Sequence, residues 1–168
     1  MKLRVSREAL LKPLQQVAGV VERRQTLPVL SNVLLQVEGN QLSLTGTDLE
    51  VEMVARVALL ESENGEITVP ARKLMDICRE LPEKAEIELT LSGQKMSIKA
   101  GRFRSTLSTL PAADFPAVDK SMAELSIDMD AKSLKRILDR TAFAMAQQDV
   151  RYFLNGMLIE LGGSYVRT

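Results

Sequence analysis

The stretch E66-I-T-V-P-A-R-K-L-M-D-I-C-R-E-L81 places a short alternating strand directly before an apolar pattern with helical spacing. The same order occurs in K2-L-R-V-S-R-E-A-L-L-K-P-L14 and again in L125-S-I-D-M-D-A-K-S-L-K-R-I-L138. In each case apolar residues alternate with a period of two and then recur at the three- and four-residue spacing of a helix. A pattern that returns after about 60 residues predicts duplicated strand-helix units.

Each predicted helix is followed by strands that turn signals separate. The first two helices are each followed by three predicted strands, at 29–37, 41–45 and 50–57 and then at 86–91, 95–99 and 103–109. The third is followed by two, at 156–161 and 165–168. A unit of strand, helix and three-strand meander predicts an α+β fold with antiparallel sheets.

Two such half-units, at 1–59 and 65–118, predict a first domain that spans 1–120 and is formed by burying one half-unit on the other. The proline-containing segment PAADFPAVDK, 111–120, predicts a linker to a second domain at 124–168. Because a lone strand-helix-hairpin cannot bury both of its faces, we expect the sequence to stop inside that domain. The alternative is that 125–168 packs onto the first domain as a complete appendage.

One residue conflicts with its local pattern. Pro13 lies inside the first predicted helix, 7–18, where it removes a backbone hydrogen bond. The sequence therefore predicts either a kink at Pro13 or a helix that starts later than the pattern indicates.

Composition excludes several classes of protein. The 168 residues are 45% apolar, which is typical of a globular protein, and no apolar run is long enough for a membrane helix. The charged N-terminus lacks the apolar core of a signal peptide, and the single cysteine indicates a cytoplasmic location. There is no histidine and no tryptophan, so the commonest general base, the commonest metal ligand and a broad stacking platform are all missing.

The chain offers little for catalysis. It contains no phosphate-binding glycine loop and no nucleophile elbow. Cys78 lies on the apolar side of its helix and is predicted to be a core residue. Asp48, Glu50 and Glu52 alternate along a predicted strand, where they form either an exposed acidic face or, as the alternative, a metal site of an enzyme.

Positive charge is concentrated on the predicted helices. Nine basic and four acidic residues lie in 7–18, 71–80 and 131–146, so a neutral chain carries its balancing negative charge elsewhere. In the third helix, basic side chains occupy the side opposite the apolar stripe. Such a face is either an ordinary solvated surface or, if the repeats place their helices on a common side, a surface for phosphates.

Several motifs together resemble the family of bacterial DNA polymerase III beta subunits, the sliding clamps. They follow one another through nearly the whole chain: L10-L-K-P-L-Q-Q-V17, T26-L-P-V-L30, L42-S-L-T-G-T-D-L-E50, V69-P-A-R-K73, D76-I-C-R79, the run LSTLPAADFP at 107–116, and Q148-D-V-R-Y-F-L-N-G-M157. The resemblance implies a DNA-clamp fold, with antiparallel sheets outside and helices lining a ring. It also implies that two chains close head to tail around duplex DNA as a homodimer.

The resemblance assigns roles to individual residues. It implies DNA contacts for Arg24, with Arg23 beside it, and for the residues Arg72, Gln148, Tyr152 and Phe153. Phe153 departs from the family's usual tyrosine, so any hydroxyl contact there is replaced by an apolar ring. The alternative for Tyr152 and Phe153 is that they tuck against the third helix at the entrance to a strand.

Further roles follow from the same resemblance. Arg102 and Arg104, two apart on one predicted strand face, belong to the edge that meets the partner subunit; the alternative is a solvated pair. Leu154 matches one wall of a pocket for short polymerase and clamp-loader peptides. The family is a processivity factor rather than an enzyme, so no cofactor and no metal are expected. A β-rich interaction module without a nucleic-acid role is the competing class.

Overall fold

The computed structural model describes residues 1–21, 27–116 and 127–168. It divides the chain into two compact units, Met1–Asp119 and Lys120–Thr168, which are described separately. The helices are α1 Arg7–Val17, α2 Ala71–Glu80 and α3 Ala131–Thr141. The strands are β1 Lys2–Ser6, β2 Asn32–Glu38, β3 Gln41–Thr47, β4 Glu52–Ala58, β5 Glu61–Glu63, β6 Gly65–Pro70, β7 Glu86–Ser92, β8 Lys95–Ala100, β9 Phe103–Ser108, β10 Glu160–Leu161 and β11 Val166–Arg167.

The first unit has two antiparallel sheets that exchange strands between the predicted half-units. One sheet has the order β5-β1-β7-β8-β9 and the other β4-β3-β2-β6. Strand β1 pairs with β7 of the second half-unit, and β6 pairs with β2 of the first. The first strand of each half-unit, β1 or β6, therefore pairs with the three-strand meander of the other half-unit. As a result, the two half-units share a single core.

That core lies between the helices and the sheets. The core-facing residues of α1 (Leu10, Leu14) and of α2 (Leu74, Cys78) are fully buried in one cluster with the inner faces of both sheets. Burying a large apolar side chain contributes about 1.5–3 kcal/mol each, which makes this cluster the main source of stability. The cluster fixes which sides of α1 and α2 face outward.

Helix α1 begins where the pattern indicates, despite its proline. The Ser6 hydroxyl caps the first turn by accepting a hydrogen bond from the Ala9 amide, and the helix continues through Pro13 to Val17. The predicted later start is therefore wrong. The carbonyl that Pro13 leaves without a donor belongs to Ala9, which is exposed, so water can satisfy it.

Two predicted boundaries are wrong for tertiary reasons. The strand predicted at 29–37 begins only at Asn32, because a 3-10 turn, Pro28–Ser31, precedes it. The predicted linker at 111–120 contains a 3-10 turn, Ala112–Asp114, and Phe115, which is 7% exposed and packs on Val29 and Leu30. That part of the segment belongs to the first unit, and 117–120 lies outside the described residues.

The second unit differs more from the predicted repeat. Helix α3 ends at Thr141 rather than at residue 146, because the Ala146 amide donates to the carbonyl of Leu154 (2.8 Å) instead of to its own helix. Residues 127–130 form no strand, since within the described second unit no strand lies beside them. The predicted strands at 156–161 and 165–168 are reduced to the short pair β10 and β11.

Candidate nucleic-acid interface

The two helices of the first unit lie side by side and antiparallel. Arg7, at the start of α1, donates from Nε to the carbonyl of Cys78 (2.9 Å) and from a terminal nitrogen to that of Arg79 (3.2 Å). At the other end, Arg72 donates to the carbonyl of Val21 (3.4 Å), just beyond α1. The start of each helix therefore lies beside the end of the other.

Their outward sides carry positive charge. Lys12 on α1 and Arg72 and Lys73 on α2 are exposed and point away from the buried stripes; we call these three residues the basic helical face. None of the three forms an ion pair with any residue of the described ranges. Arg79, also on α2, does form one: its Nη1 lies 3.9 Å from Asp76 Oδ1. The basic helical face is a sparse set of cations of the kind that contacts phosphates without reading bases.

Arg7 is basic but is not part of that face. Its side chain is largely covered, 17% exposed, and its guanidinium donates to carbonyls at the C-terminal end of α2, where the helix dipole favours a cation. The side chain of Glu8 accepts from the Lys84 amide (2.8 Å) and from Arg7. These bonds hold the pKa of the Glu8 carboxyl below its ordinary value, and the bond from the Lys84 amide has the largest effect. This capping role could not be predicted from the sequence, because charge alone does not indicate where a side chain points.

In the second unit, α3 also presents cations. Lys132, Arg136 and Arg140 are exposed, while Lys135 is paired with Asp139 at 2.5 Å. No residue of α3 is buried, so its apolar side is only partly covered within this unit.

The segment that follows α3 carries three of the predicted DNA contacts. Gln148 is exposed and has a positive φ of 62°, and Tyr152 and Phe153 are 86% and 78% exposed at the start of a 3-10 turn, Tyr152–Asn155. The alternative in which both rings tuck against α3 is therefore wrong. Arg23 and Arg24 lie outside the described residues.

The same segment encloses a fixed turn that the sequence did not predict. Asp149 accepts three hydrogen bonds from Arg151, one from its amide and two from its guanidinium, and these hold the pKa of the Asp149 carboxyl below its ordinary value. Asn155 bonds both backbone groups of Asp149. Only the i, i+2 spacing of an aspartate and an arginine hinted at such a pair.

The remaining predicted sites lie elsewhere. Leu154 and Phe153 line a pocket of about 200 Å³ in the second unit, with Thr141 and Met157 among its other walls. Arg104 lies on β9, an edge of the five-stranded sheet, and its guanidinium bonds the carbonyls of Gly101 and Phe103. Arg102 lies in the turn before β9, so the prediction that both arginines share a strand face is wrong.

The alternative metal site does not form. Asp48 and Glu50 precede β4 in a turn, and only Glu52 lies on the strand. Asp48 accepts from the amides of Val51 (2.7 Å) and Glu50 (3.0 Å), bonds that lower the pKa of its carboxyl. Across the described ranges, no three potential ligands of the histidine, cysteine or carboxylate type converge on one point.

Two further observations limit the alternatives. Cys78 is confirmed as a core residue: it is fully buried, and burial raises the pKa of its thiol to about 12. Within the part of the chain that the structure describes, no helix is both long and apolar enough to cross a membrane.

Comparison with known proteins gives matches over both units. The family model for the DNA polymerase III beta subunit, N-terminal domain, matches residues 1–119, and the model for the central domain of the same subunit matches residues 128–168. Two curated relatives named "Beta sliding clamp" align over 100% of this chain, one from Pseudomonas aeruginosa at 64% identity and one from Escherichia coli K12 at 57%. The chain covers 46% of each, so it spans less than half the length of these relatives.

Comparison with solved structures gives matches to the same family. The crystal structure of the DNA polymerase III subunit beta from P. aeruginosa superposes with a TM-score of 0.93 at 65% identity, over 97% of this chain and 44% of that one. The DNA polymerase sliding clamp from Caulobacter crescentus superposes with a TM-score of 0.89 at 43% identity, over 95% of this chain and 44% of that one.

Proposed function

Since this chain belongs to the DNA polymerase III beta-subunit family, we propose that it forms part of a sliding clamp that encircles duplex DNA and tethers the replicative polymerase. The observation that carries the proposal is the ordered match to the N-terminal and central domain models along one chain. In this proposal the protein is a processivity factor of DNA replication rather than an enzyme. It is cytoplasmic, with a domain division at 1–120 and 124–168.

The helices supply the surface that faces DNA. We assign phosphate contacts to Arg72 and Arg24, and contacts with the sugar-phosphate backbone to Gln148, Tyr152 and Phe153. The antiparallel packing of α1 and α2 supports this assignment, because it turns both basic sides outward together. A few cations without base readout favour duplex while leaving the protein free to slide, since every phosphate is equivalent.

Partners would meet the chain at two other places. The open edge at β9, with Arg102 and Arg104, is proposed as the contact with a second clamp subunit in a head-to-tail homodimer. Arg104 lies directly opposite Lys99, which pairs with Glu88 at 3.6 Å, whereas Arg104 has no acidic partner within the described ranges and so favours an acidic partner at that edge. The pocket lined by Leu154 is proposed as part of a site for short peptides of the polymerase and the clamp loader.

The DNA-facing assignment can be tested with two double variants that remove the same charge. Arg72→Ala/Lys73→Ala removes two cations of the basic helical face. Lys95→Ala/Lys99→Ala removes two from β8, whose buried neighbours Met96 and Ile98 place both lysines on the sheet face turned away from the core. Binding of the 168-residue chain to a fluorescent duplex is measured by anisotropy from low to moderate salt.

We expect the helix-face variant alone to flatten the salt dependence. Each phosphate contact contributes about −0.9 to the slope of log K against log salt, so two lost contacts change the slope by about 2. The β8 variant should keep the original slope. Equal effects of the two variants would contradict the assignment, and salt-independent binding or none at all would favour the β-rich interaction module.

Encirclement has a topological test. A full-length subunit that begins with this chain is loaded on circular duplex, and the circle is then cut once. A clamp that is held only by encircling the DNA slides off the ends of the cut molecule, whereas a protein that is held by affinity stays bound. Retention after cutting would contradict the sliding-clamp function.

A further inference from the structure

In the segment from Gln148 to Tyr152, Asp149 is the one side chain that is partly shielded from solvent. Val150 and Tyr152 are 87% and 86% exposed, and Gln148 is exposed as well. Between them, the Asp149 side chain is only 25% exposed, and Arg151, whose own side chain is 64% exposed, is bonded to it. The two charged residues of this segment are therefore paired with each other, although the Arg151 side chain remains largely exposed.

The Asp149–Arg151 pair is held by a network of hydrogen bonds. Asp149 Oδ1 accepts from the backbone amide of Arg151 (2.8 Å) and from its Nε (3.0 Å), and Oδ2 accepts from a terminal guanidinium nitrogen (2.9 Å). The Asn155 amide oxygen accepts from the Asp149 amide (2.9 Å), and Asn155 Nδ2 donates to the Asp149 carbonyl (3.0 Å). A bond from Ala146 to Leu154 closes the base of the loop.

The backbone of Gln148 shows why such a network is needed. Its φ of 62° is in the left-handed region, which non-glycine residues adopt only when their surroundings hold them there. Both backbone groups of the next residue, Asp149, are bonded to Asn155, so the peptide after Gln148 cannot rotate freely. The network therefore fixes the direction of the Gln148 side chain.

We propose that Asp149, together with Arg151 and Asn155, acts as a positioning group that holds Gln148 and Tyr152 in the orientation in which they contact the DNA backbone. This inference rests on the proposed function and assigns residues to which that function gives no role. In this role Arg151 acts through Asp149, which binds its guanidinium on two nitrogens.

The positioning role predicts an effect opposite in sign to simple electrostatics. Removing the Asp149 carboxylate raises the net charge from 0 to +1, which by charge alone should tighten binding to phosphates. If the carboxylate positions neutral contacts, its removal should instead weaken binding. Asp128 provides a matched control: it is an exposed acid of the same unit with no hydrogen bond to another described residue.

The test compares four variants of the full 168-residue chain on the same fluorescent duplex. Asp149→Ala should weaken binding about three- to tenfold, which is the worth of a typical hydrogen-bonded contact, while Asp128→Ala leaves binding unchanged or tighter. Asp149→Asn makes the same charge change but keeps an acceptor for the Arg151 amide, so it should recover most of the loss. Asn155→Ala should weaken binding without changing the salt slope, because it removes no charge.

A second readout follows the loop without DNA. The chain has two tyrosines and no tryptophan, so Tyr165→Phe leaves Tyr152 as the sole emitter, at the cost of one hydrogen bond to Glu160 outside the loop. In that background Asp149→Ala should lower the fluorescence anisotropy of Tyr152, and Asp149→Asn should restore it. Circular dichroism confirms that each variant is folded.

The possible outcomes distinguish a failure of the positioning role from a failure of the proposed function. If the unchanged chain shows no salt-dependent binding to duplex, the proposed function and this inference fall together. If the unchanged chain binds but Asp149→Ala binds as well or better, only the positioning role is overturned. The same conclusion follows if the Tyr152 anisotropy is equal in the two Asp149 variants.

Discussion

Removing Arg7 should lower the stability of the first unit while leaving the basic helical face unchanged. Arg7 and Lys12 are both cations on the same helix, five residues apart, but the Arg7 side chain is 17% exposed and its guanidinium is bonded to two carbonyls at the end of α2. Lys12 is exposed and unpaired within the described ranges. Arg7→Ala and Lys12→Ala therefore remove the same charge from one element with different predicted consequences.

The magnitude for Arg7→Ala follows from its two bonds. A hydrogen bond that involves a charged group contributes about 1.5–3 kcal/mol, and the favourable position at the C-terminal end of a helix adds about 0.3–1 kcal/mol. Because water can replace part of these bonds at a site that is not fully buried, we expect a loss of about 2–3 kcal/mol in the free energy of unfolding. For a unit of this size, that lowers Tm by about 8–12 °C.

The assay measures thermal unfolding and the salt slope of duplex binding on the same samples. Arg7→Ala should lower Tm and keep the slope, while Lys12→Ala should keep Tm and make the slope shallower by about 1. Arg7→Lys retains the charge without the planar fork, so it should recover only part of the stability. A Tm within about 2 °C of the unchanged chain, or equal slopes for the two alanine variants, would refute the capping role.

Two further predictions concern other contacts of α1. Gly46→Ala should destabilise the first unit by about 1–3 kcal/mol in chemical denaturation, because the new Cβ would lie 2.8 Å from Val17 Cγ1 and 2.9 Å from its carbonyl oxygen; Gly163→Ala, which meets open space, is the control. For Glu8, the lowered pKa means that the carboxylate stabilises the fold above its ordinary value of 4.5 and that this contribution is lost as pH falls through the folded value. The Tm difference between the unchanged chain and Glu8→Gln should thus be constant above about pH 5.5 and vanish in acid; a difference that persists at low pH would contradict the assignment.

Much of the first unit could be predicted because its signals are local. The bounds of α2 agree with the predicted 71–80 at both ends, since the strand before it and Leu81 after it mark both limits within a few residues. The boundaries that failed depend on distant partners. Ala146 is not part of the third helix, because its amide donates to the carbonyl of Leu154. Phe115 is not part of a linker, because its ring packs against Val29 and Leu30.

The candidate site divides in the same way. Motif resemblance predicts DNA contacts for Arg72, Gln148 and Tyr152, but it could not indicate that Arg151, beside Tyr152 in the sequence, is bound by Asp149. Side-chain periodicity shows which residues share a face, and it does not show which carbonyls or carboxylates a charged group will meet.

The sequence by itself determined the strand-helix repeats, the buried stripes and the concentration of cations on the helices, because each depends on residue type and spacing along a short segment. Only the tertiary structure decided that β1 and β6 each pair with a strand of the other half-unit, that Arg7 caps the end of α2, and that Asp149 fixes the turn beside Gln148. These features depend on contacts between segments far apart in the chain or on the exact path of a turn, and spacing along the sequence carries no information about either.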